Sequence, residues 1–401
     1  MSLLGLEHGA LPASYWWLWT GQLFARTGTL APGFLVLFLQ EERGLPLGTT
    51  SLALATFSGG LIIAGLAGGA VADRIGHRTT ILVAQPVAVL TALLLLWDSG
   101  PAALVVLSLV AGLATSIDRP AGAALIAGMV GRQDYAKAYG LYLMGFNVGM
   151  SVGPVLAGLL LDVWAPGLFL LWATTSALFF VCALFVRPVV SSGPDGAPVH
   201  WLRGLVAPYR DPHVATFLVL CFVVALVYLQ MSSTLPVQMA QAGLSGLGIG
   251  ALFAVNAVIA ICMLPFVARI LGGWDVRSAL ALAALLVGIG FGLNAFAQDW
   301  LGFLIPLVVW TLGEVIWAPM SSTLLANRAP EGLMSSYQSS FFLAWNLALL
   351  VGGPAGLWVV DVGGYAPLWT AAFVLGAVAS LGFVVSRRLV RTPSLVKGTS
   401  S

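Results

Sequence analysis

The sequence predicts an all-α integral membrane fold, with twelve transmembrane helices arranged as two pseudo-symmetric six-helix bundles. Three observations predict it. Charged residues make up 8% of the chain and hydrophobic residues 59%, with a mean hydropathy of +0.99, whereas a soluble domain carries about 25% charge. Apolar stretches of about 20 residues recur along the whole length, each long enough to cross about 30 Å of hydrocarbon. They lack the apolar–polar alternation of outer-membrane strands. Finally, the second half of the chain repeats features of the first at a nearly fixed offset.

The first span, near 15–40, opens on Trp16, Trp17 and Trp19, which read as an interfacial aromatic belt. It carries Gln22 and Arg26 inside its apolar run. The first twelve residues lack a basic n-region, so this span is expected to serve as its own insertion signal rather than as a cleaved leader. Span two, near 49–73, runs into Gly69-Ala-Val-Ala-Asp73-Arg74-Ile-Gly76-His-Arg78. Gly76 permits a sharp turn there, and the arginines meet the aqueous surface. Span three, near 79–98, is plain; span four, near 102–130, contains the adjacent pair Asp118 and Arg119. Span five, near 138–162, holds Tyr142, Asn147 and the series Gly145, Gly149, Gly153, Pro154 and Gly158. Glycines four apart line one helix face and permit close backbone approach, and Pro154 is expected to bend the helix. Span six, near 167–187, closes a first bundle of residues 1–187.

Residues 188–212 hold Ser-Ser-Gly-Pro-Asp-Gly and then basic residues, and read as a cytoplasmic linker. Trp201-Leu-Arg-Gly-Leu within it is a candidate short interfacial helix. The second bundle and tail, residues 213–401, contain spans near 213–240, 247–269, 277–297, 300–327, 336–361 and 367–387. Span seven carries Tyr228 and Gln230. Span ten carries Trp310, Gly313, Glu314 and Trp317, and span eleven Phe341, Trp345 and Gly352-Gly353-Pro354-Ala-Gly356.

Fourteen of the seventeen Lys and Arg residues fall on one side of this topology; only Arg43 falls on the other, and Arg26 and Arg119 lie inside spans. The positive-inside rule then puts both termini in the cytoplasm, and the expected location is the inner (cytoplasmic) membrane of a cell. The three cysteines fall within spans without ligand spacing, and the four histidines are scattered. No metal or cofactor is expected. No nucleophile–base set suggests an enzyme, and a net charge of +2 is too small to suggest nucleic acid. The expected partners are the lipid bilayer, protons and a small-molecule substrate, and the chain is expected to act as a monomer.

Of the fifteen acids, only Asp118 and Glu314 lie deep in apolar spans. Counting about 1.5 Å per residue from the nearest loop places both near mid-membrane. A carboxylate there is costly and marks a functional site. The two are 196 residues apart, as are Phe57 and Phe253, Gly76 and Gly272, and Thr115 and Thr311. Further along, Asn147 and Asn346, Val152 and Val351, and Asp162 and Asp361 pair at an offset of 199. Duplicated halves with a site between them are a transporter pattern. Burial disfavours the charged carboxylate, so Glu314 and Asp118 are candidates for proton coupling; a neutral, hydrogen-bonded packing acid is the other reading. Arg119 does not share a helix face with its neighbour Asp118. Arg26, at similar depth, suits a partner for either acid, a substrate anchor or a packing charge. Candidate cavity residues are Gln22, Tyr142, Asn147, Tyr228, Gln230, Trp310, Trp317, Phe341 and Trp345, each of which also suits plain packing.

The segment from Gly69 to Arg78 resembles the signature loop of the major facilitator superfamily, Gly-x3-Asp-Arg-x-Gly-x-Arg, and departs only at His77, where a more basic residue is commoner. A worn copy, Arg269-Ile-Leu-Gly272-Gly-Trp-Asp275-Val-Arg277, follows span eight. Gly149-x3-Gly153-Pro154 resembles an element of the antiporter branches of that superfamily. Gly313-Glu314-x4-Pro319 and the run from Gln230 to Pro236 resemble stretches of its bacterial drug:proton antiporters. The resemblance covers essentially the whole chain. It implies a major facilitator fold, alternating access, and proton-coupled export of a lipophilic small molecule or drug (multidrug efflux). It casts Gly69, Asp73, Arg74, Gly76 and Arg78 as a structural or gating loop. A proton-coupled uptake symporter and a non-transporting receptor on the same fold are the alternatives.

Overall fold

A computed structural model describes residues 11–28, 32–97, 100–130, 132–187, 207–270, 274–328 and 334–386. Among these residues the regular structure is helical, without strand. The first bundle contains α1 (Ala13–Gly28), α2 (Pro32–Leu37, continued by a π-helical turn Phe38–Glu42), α3 (Leu47–Ile75), α4 (His77–Leu96), α5 (Gly100–Ser116), α6 (Asp118–Met129), α7 (Arg132–Trp164) and α8 (Gly167–Leu184). The second contains α9 (Pro212–Tyr228), α10 (Thr234–Gln241), α11 (Gly246–Ile270), α12 (Val276–Leu293), α13 (Trp300–Arg328), α14 (Met334–Gly363) and α15 (Tyr365–Val385). Eleven segments are long and apolar enough to cross a membrane, with α5–α6 and α9–α10 each counted once. α1 and α2 together account for the first of the twelve predicted spans. Of the 188–212 linker, residues 188–206 with the candidate helix at Trp201 lie outside the described residues, and residues 207–210 are helical.

Spans four and seven, read from the sequence as continuous helices, are broken in the structure. Ile117 separates α5 from α6, and a 3-10 turn, Leu229–Ser232, with Ser233 at φ −136°, separates α9 from α10. The cause is proline. Pro120 and Pro236 each stand third in the helix that follows the break, and Pro32 opens α2. A proline lacks the N–H that would continue the preceding helix, yet it is tolerated in the first turn of a new one. Pro154 and Pro354, deep inside α7 and α14, do not break them. The turn predicted at Gly76 is present: at φ +93° this single residue ends α3 and starts α4. Asp211 caps α9, accepting from the His213 N–H at 2.9 Å, with Pro212 as the first helical residue.

Within each bundle the helices pack closely, α1 against α7 and α8, α3 against α5, α12 against α13 and α15, and α9 against α14. Between bundles the main contacts run α7 to α11 and α3 to α14, with α2 touching α10. These pairs are spans five and eight, two and eleven, and one and seven, as expected if the halves are related by two-fold pseudo-symmetry. The tightest approach is backbone on backbone: a Cβ on Gly158 would strike the Gly246 carbonyl, and one on Gly250 would strike that of Pro154. The Asp162 carboxylate crosses the same seam and accepts from the backbone N–H groups of Gly246 and Leu247, the latter at 2.7 Å, at the start of α11. The Asp162, Gly246 and Gly158 contacts join the last two turns of α7 to the start of α11. Large apolar side chains such as Ile63, Leu66, Leu90, Val219 and Leu381 point outward on the bundle surface, as a lipid solvent requires.

Candidate functional site

A cavity of about 540 Å³ lies between the bundles, with residues of both on its wall. Its charged residues are Arg26, Arg119 and Glu314; its apolar faces come from Phe34, Phe57, Phe146, Met150, Phe253 and Ile261. Phe57 and Phe253, related by the 196-residue offset, face it from opposite halves.

The first-half acid is fully engaged. Arg26 on α1 forks onto Asp118, with Nη2 at 2.8 and 2.6 Å from the two carboxylate oxygens, and Asp118 is 1% exposed. The second Arg26 nitrogen, Nη1, donates to the Thr115 carbonyl at 3.0 Å. Gln22, one turn earlier, completes the set. With its amide oriented oxygen toward Arg26, the assignment that satisfies its neighbours, it accepts from Arg26 Nε at 2.9 Å and donates to the Tyr142 hydroxyl at 3.0 Å and to Asp118 at 3.3 Å. This makes a buried ion pair whose remaining donors and acceptors are satisfied, the condition under which such a pair is tolerated. Of the roles open to Arg26 in the sequence, the structure shows that of partner to Asp118.

The second-half acid is held differently. Glu314 lies at the midpoint of α13. Asn256 on α11 donates to its Oε2 at 2.9 Å and to Thr311 Oγ1 at 3.0 Å, and the Tyr228 hydroxyl also hydrogen-bonds to Glu314. Among the described residues no cation pairs with it. Span one gives Asp118 a guanidinium, whereas span seven, its counterpart, gives Glu314 a phenol. Both partners of Glu314 are neutral, so protonation there strands no buried charge. Asn256 was not singled out from the sequence; its signal is a lone amide in the middle of an apolar span.

The predicted cavity residues divide. Asn147 and Tyr228 line the cavity. Gln22 and Tyr142 sit behind it in the Asp118 cluster, and Tyr142 packs on Gly122. Gln230 is a structural staple. Its amide donates to the Leu226 carbonyl at 3.1 Å and to the Gly352 carbonyl at 2.9 Å and accepts from Thr234 at 2.9 Å, bracing the broken span seven against α14. Trp310 is 0% exposed and stacks on Phe291; it, Trp345 and Phe341 form an aromatic layer behind Tyr228, and Trp317 packs edge-on against Phe383. Four of the predicted aromatics therefore pack in the second bundle rather than line the cavity. Of the expected belt, Trp16 and Trp17 are exposed, but Trp19 turns inward, donates to the Leu141 carbonyl at 2.8 Å and packs on Gly145.

The glycine series serves two neighbours. Gly145, Gly149 and Gly153 receive Trp19, Arg26 and the Thr27 carbonyl of α1, and Gly158 receives α11 of the other half. In the loop, Arg78 donates to the Ala183 carbonyl at 3.1 Å and the Leu184 carbonyl at 2.8 Å, which ties the turn to the end of α8. Gly69 has open space around it and Arg74 is exposed. The side chain of Asp73 lies outside the described residues.

Two helical bundles related by pseudo-symmetry, with a mid-depth cavity between them and a carboxylate on its wall, define a polytopic membrane transporter. The chain belongs to the Major Facilitator Superfamily, whose model matches residues 18–353. It is 25% identical over 324 residues to the multidrug resistance protein MdtH of Aeromonas hydrophila, covering 78% of this chain and 79% of that protein. It is 23% identical over 386 residues to a Na(+), Li(+), K(+)/H(+) antiporter of Planococcus maritimus, covering 88% and 89%. The crystal structure of a mutant peptide transporter POT in complex with alafosfalin superposes with a TM-score of 0.79 at 17% identity, covering 96% of this chain and 98% of that one. That likeness bears on the fold alone.

Proposed function

We propose that this transporter exports a lipophilic small molecule in exchange for protons, by alternating access to the cavity between its bundles. In this reading it sits in the cytoplasmic membrane with both termini inside. The observation that carries the reading is Glu314. It is the acid on the cavity wall, it is held by an amide and a phenol, and no cation fixes its charge among the described residues. Such a carboxyl can load and release a proton without breaking an ion pair. Asp118 takes the other role: losing its charge would leave Arg26 buried and unpaired. Supporting the direction are the glycine–proline run at the seam and the likeness to MdtH and to a cation/proton antiporter. With termini inside, the Asp162 tie between α7 and α11 lies on the outer side.

The test is flux in proteoliposomes with an imposed pH gradient and a lipophilic dye. The protein should drive dye against the proton flow, and Glu314→Gln should abolish pH-driven flux while the protein remains monodisperse. Retained pH-driven flux in Glu314→Gln removes Glu314 from the mechanism. Dye moving with the protons makes the protein a symporter, and ligand binding without any flux makes it a receptor.

A further inference from the structure

Three charged side chains reach the cavity wall. Arg26 is committed to Asp118, Thr115 and Gln22. Among the described residues Arg119 is not committed to a protein acceptor. It stands in the first turn of α6, just past the break before Pro120, and its open surface faces the cavity. Its guanidinium lies over the Phe146 ring at 5.1 Å, and among the described residues it has no hydrogen bond and no carboxylate partner. The adjacent Asp118 points to Arg26 instead. Arg119 and Glu314 do not pair with each other, so among the described residues the wall presents a cation and an acid that are each outside any ion pair.

A guanidinium stays charged in every state of the cycle. Left alone in a low-dielectric cavity it is costly, and its planar fork matches a carboxylate or similar acid through two parallel hydrogen bonds. Glu314, when ionised, matches an ammonium. The same wall offers the rings of Phe57, Phe146 and Phe253, and a volume of about 540 Å³ suits a drug-sized ligand. We infer that the cavity takes a lipophilic zwitterion, with its acid on Arg119, its amine on Glu314 and its apolar body on the phenylalanines. This rests on the cavity being the transport site proposed above. The assignment also supplies a linkage: an ammonium and a proton exclude each other at Glu314, as an exchanger requires.

Three probes with one apolar body separate the charges: 3-(2-naphthyl)alanine, 3-(2-naphthyl)propionic acid and 2-(2-naphthyl)ethylamine. Binding to the purified protein, read by isothermal titration at one fixed pH, needs neither a proton gradient nor a direction of transport, so it stands or falls apart from the flux test. The amino acid should bind about tenfold or more tighter than either single-charge probe. Arg119→Gln should reduce it to the level of the amine and leave the amine itself no weaker. Arg119→Lys, which keeps the charge without the fork, should fall between, and it serves if the Gln variant does not fold. Equal binding of all three probes, tightest binding by the amine alone, or no binding by any of them overturns the proposal.

Discussion

Asp118 and Glu314 occupy matching positions in the two halves, and the structure gives them opposite surroundings. Asp118 is locked to Arg26, whereas Glu314 has only neutral partners. The lock is testable. Arg26→Met or Asp118→Leu alone leaves a buried charge without its partner and should cost about 3–5 kcal/mol, while the double variant, with both charges gone, should recover most of it. Melting of the three variants in detergent decides this. A double variant no more stable than the worse single variant would show that the pair is not the source of the cost. Charge is what made these positions legible, since an acid in an apolar span has few readings. The aromatic residues had several. Trp310, Trp317, Phe341 and Trp345 lie on helices that are apolar on every face, so helical spacing could not separate a cavity face from a core face. Gln230 was legible as polar and deep but not as a staple, because its acceptor is the backbone of Gly352, far along the chain.

At the scale of elements, the sequence conveyed the spans and their order but not the breaks in them. Hydropathy is blind to a break when both sides are apolar; the signal was Pro120 near the middle of span four and Pro236 in the last turns of span seven. The glycine series was legible as a close-packing face, and its division between α1 and α11 follows from Gly158 standing five residues rather than four after Gly153. That division gives a prediction. Gly158→Leu puts a side chain where the Gly246 carbonyl now sits and should depopulate the sealed form. Asp162→Ala removes the acceptor of two N–H groups at the start of α11, a cap contribution of about 1 kcal/mol, and should act in the same direction more weakly. Distances between spin labels near the α7–α8 and α10–α11 turns would report both. An unchanged distance distribution in Gly158→Leu would mean that this seam does not set the conformer.

For the whole molecule, the fold could be read directly from the sequence, because a bilayer allows few alternatives to apolar helices and the 196-residue offset revealed the second bundle. The site could be read only in part: one acid, two arginines, one amide and one phenol of the cavity wall were named in advance, while Asn256 and the wall role of the phenylalanines were not. Two outcomes belong to this scale. As an exporter, the protein should lower the energy-dependent accumulation of a lipophilic dye in expressing cells, and a proton uncoupler should restore it. Uptake that rises in expressing cells would reverse the direction. The Asp73 loop, tied to α8 through Arg78, should govern the cycle rather than selectivity. Asp73→Asn should slow transport of every substrate alike and leave binding affinity nearly unchanged, and a loss confined to one substrate would count against that role.

The seam between the bundles has a mechanical meaning. Where Gly158 meets Gly246 and Pro154 meets Gly250, backbone rests directly on backbone, with few side chains between. Such a surface acts as a bearing rather than a latch. Lipid and helix offer these backbones similar dispersion contact, so rotation about the seam exchanges one smooth contact for another at little cost. What holds the joint shut is then concentrated in a few polar ties, such as Asp162, that thermal motion can release one at a time. A turnover-capable machine gains from that division, since the friction of the joint and the strength of its closure can be tuned by different residues.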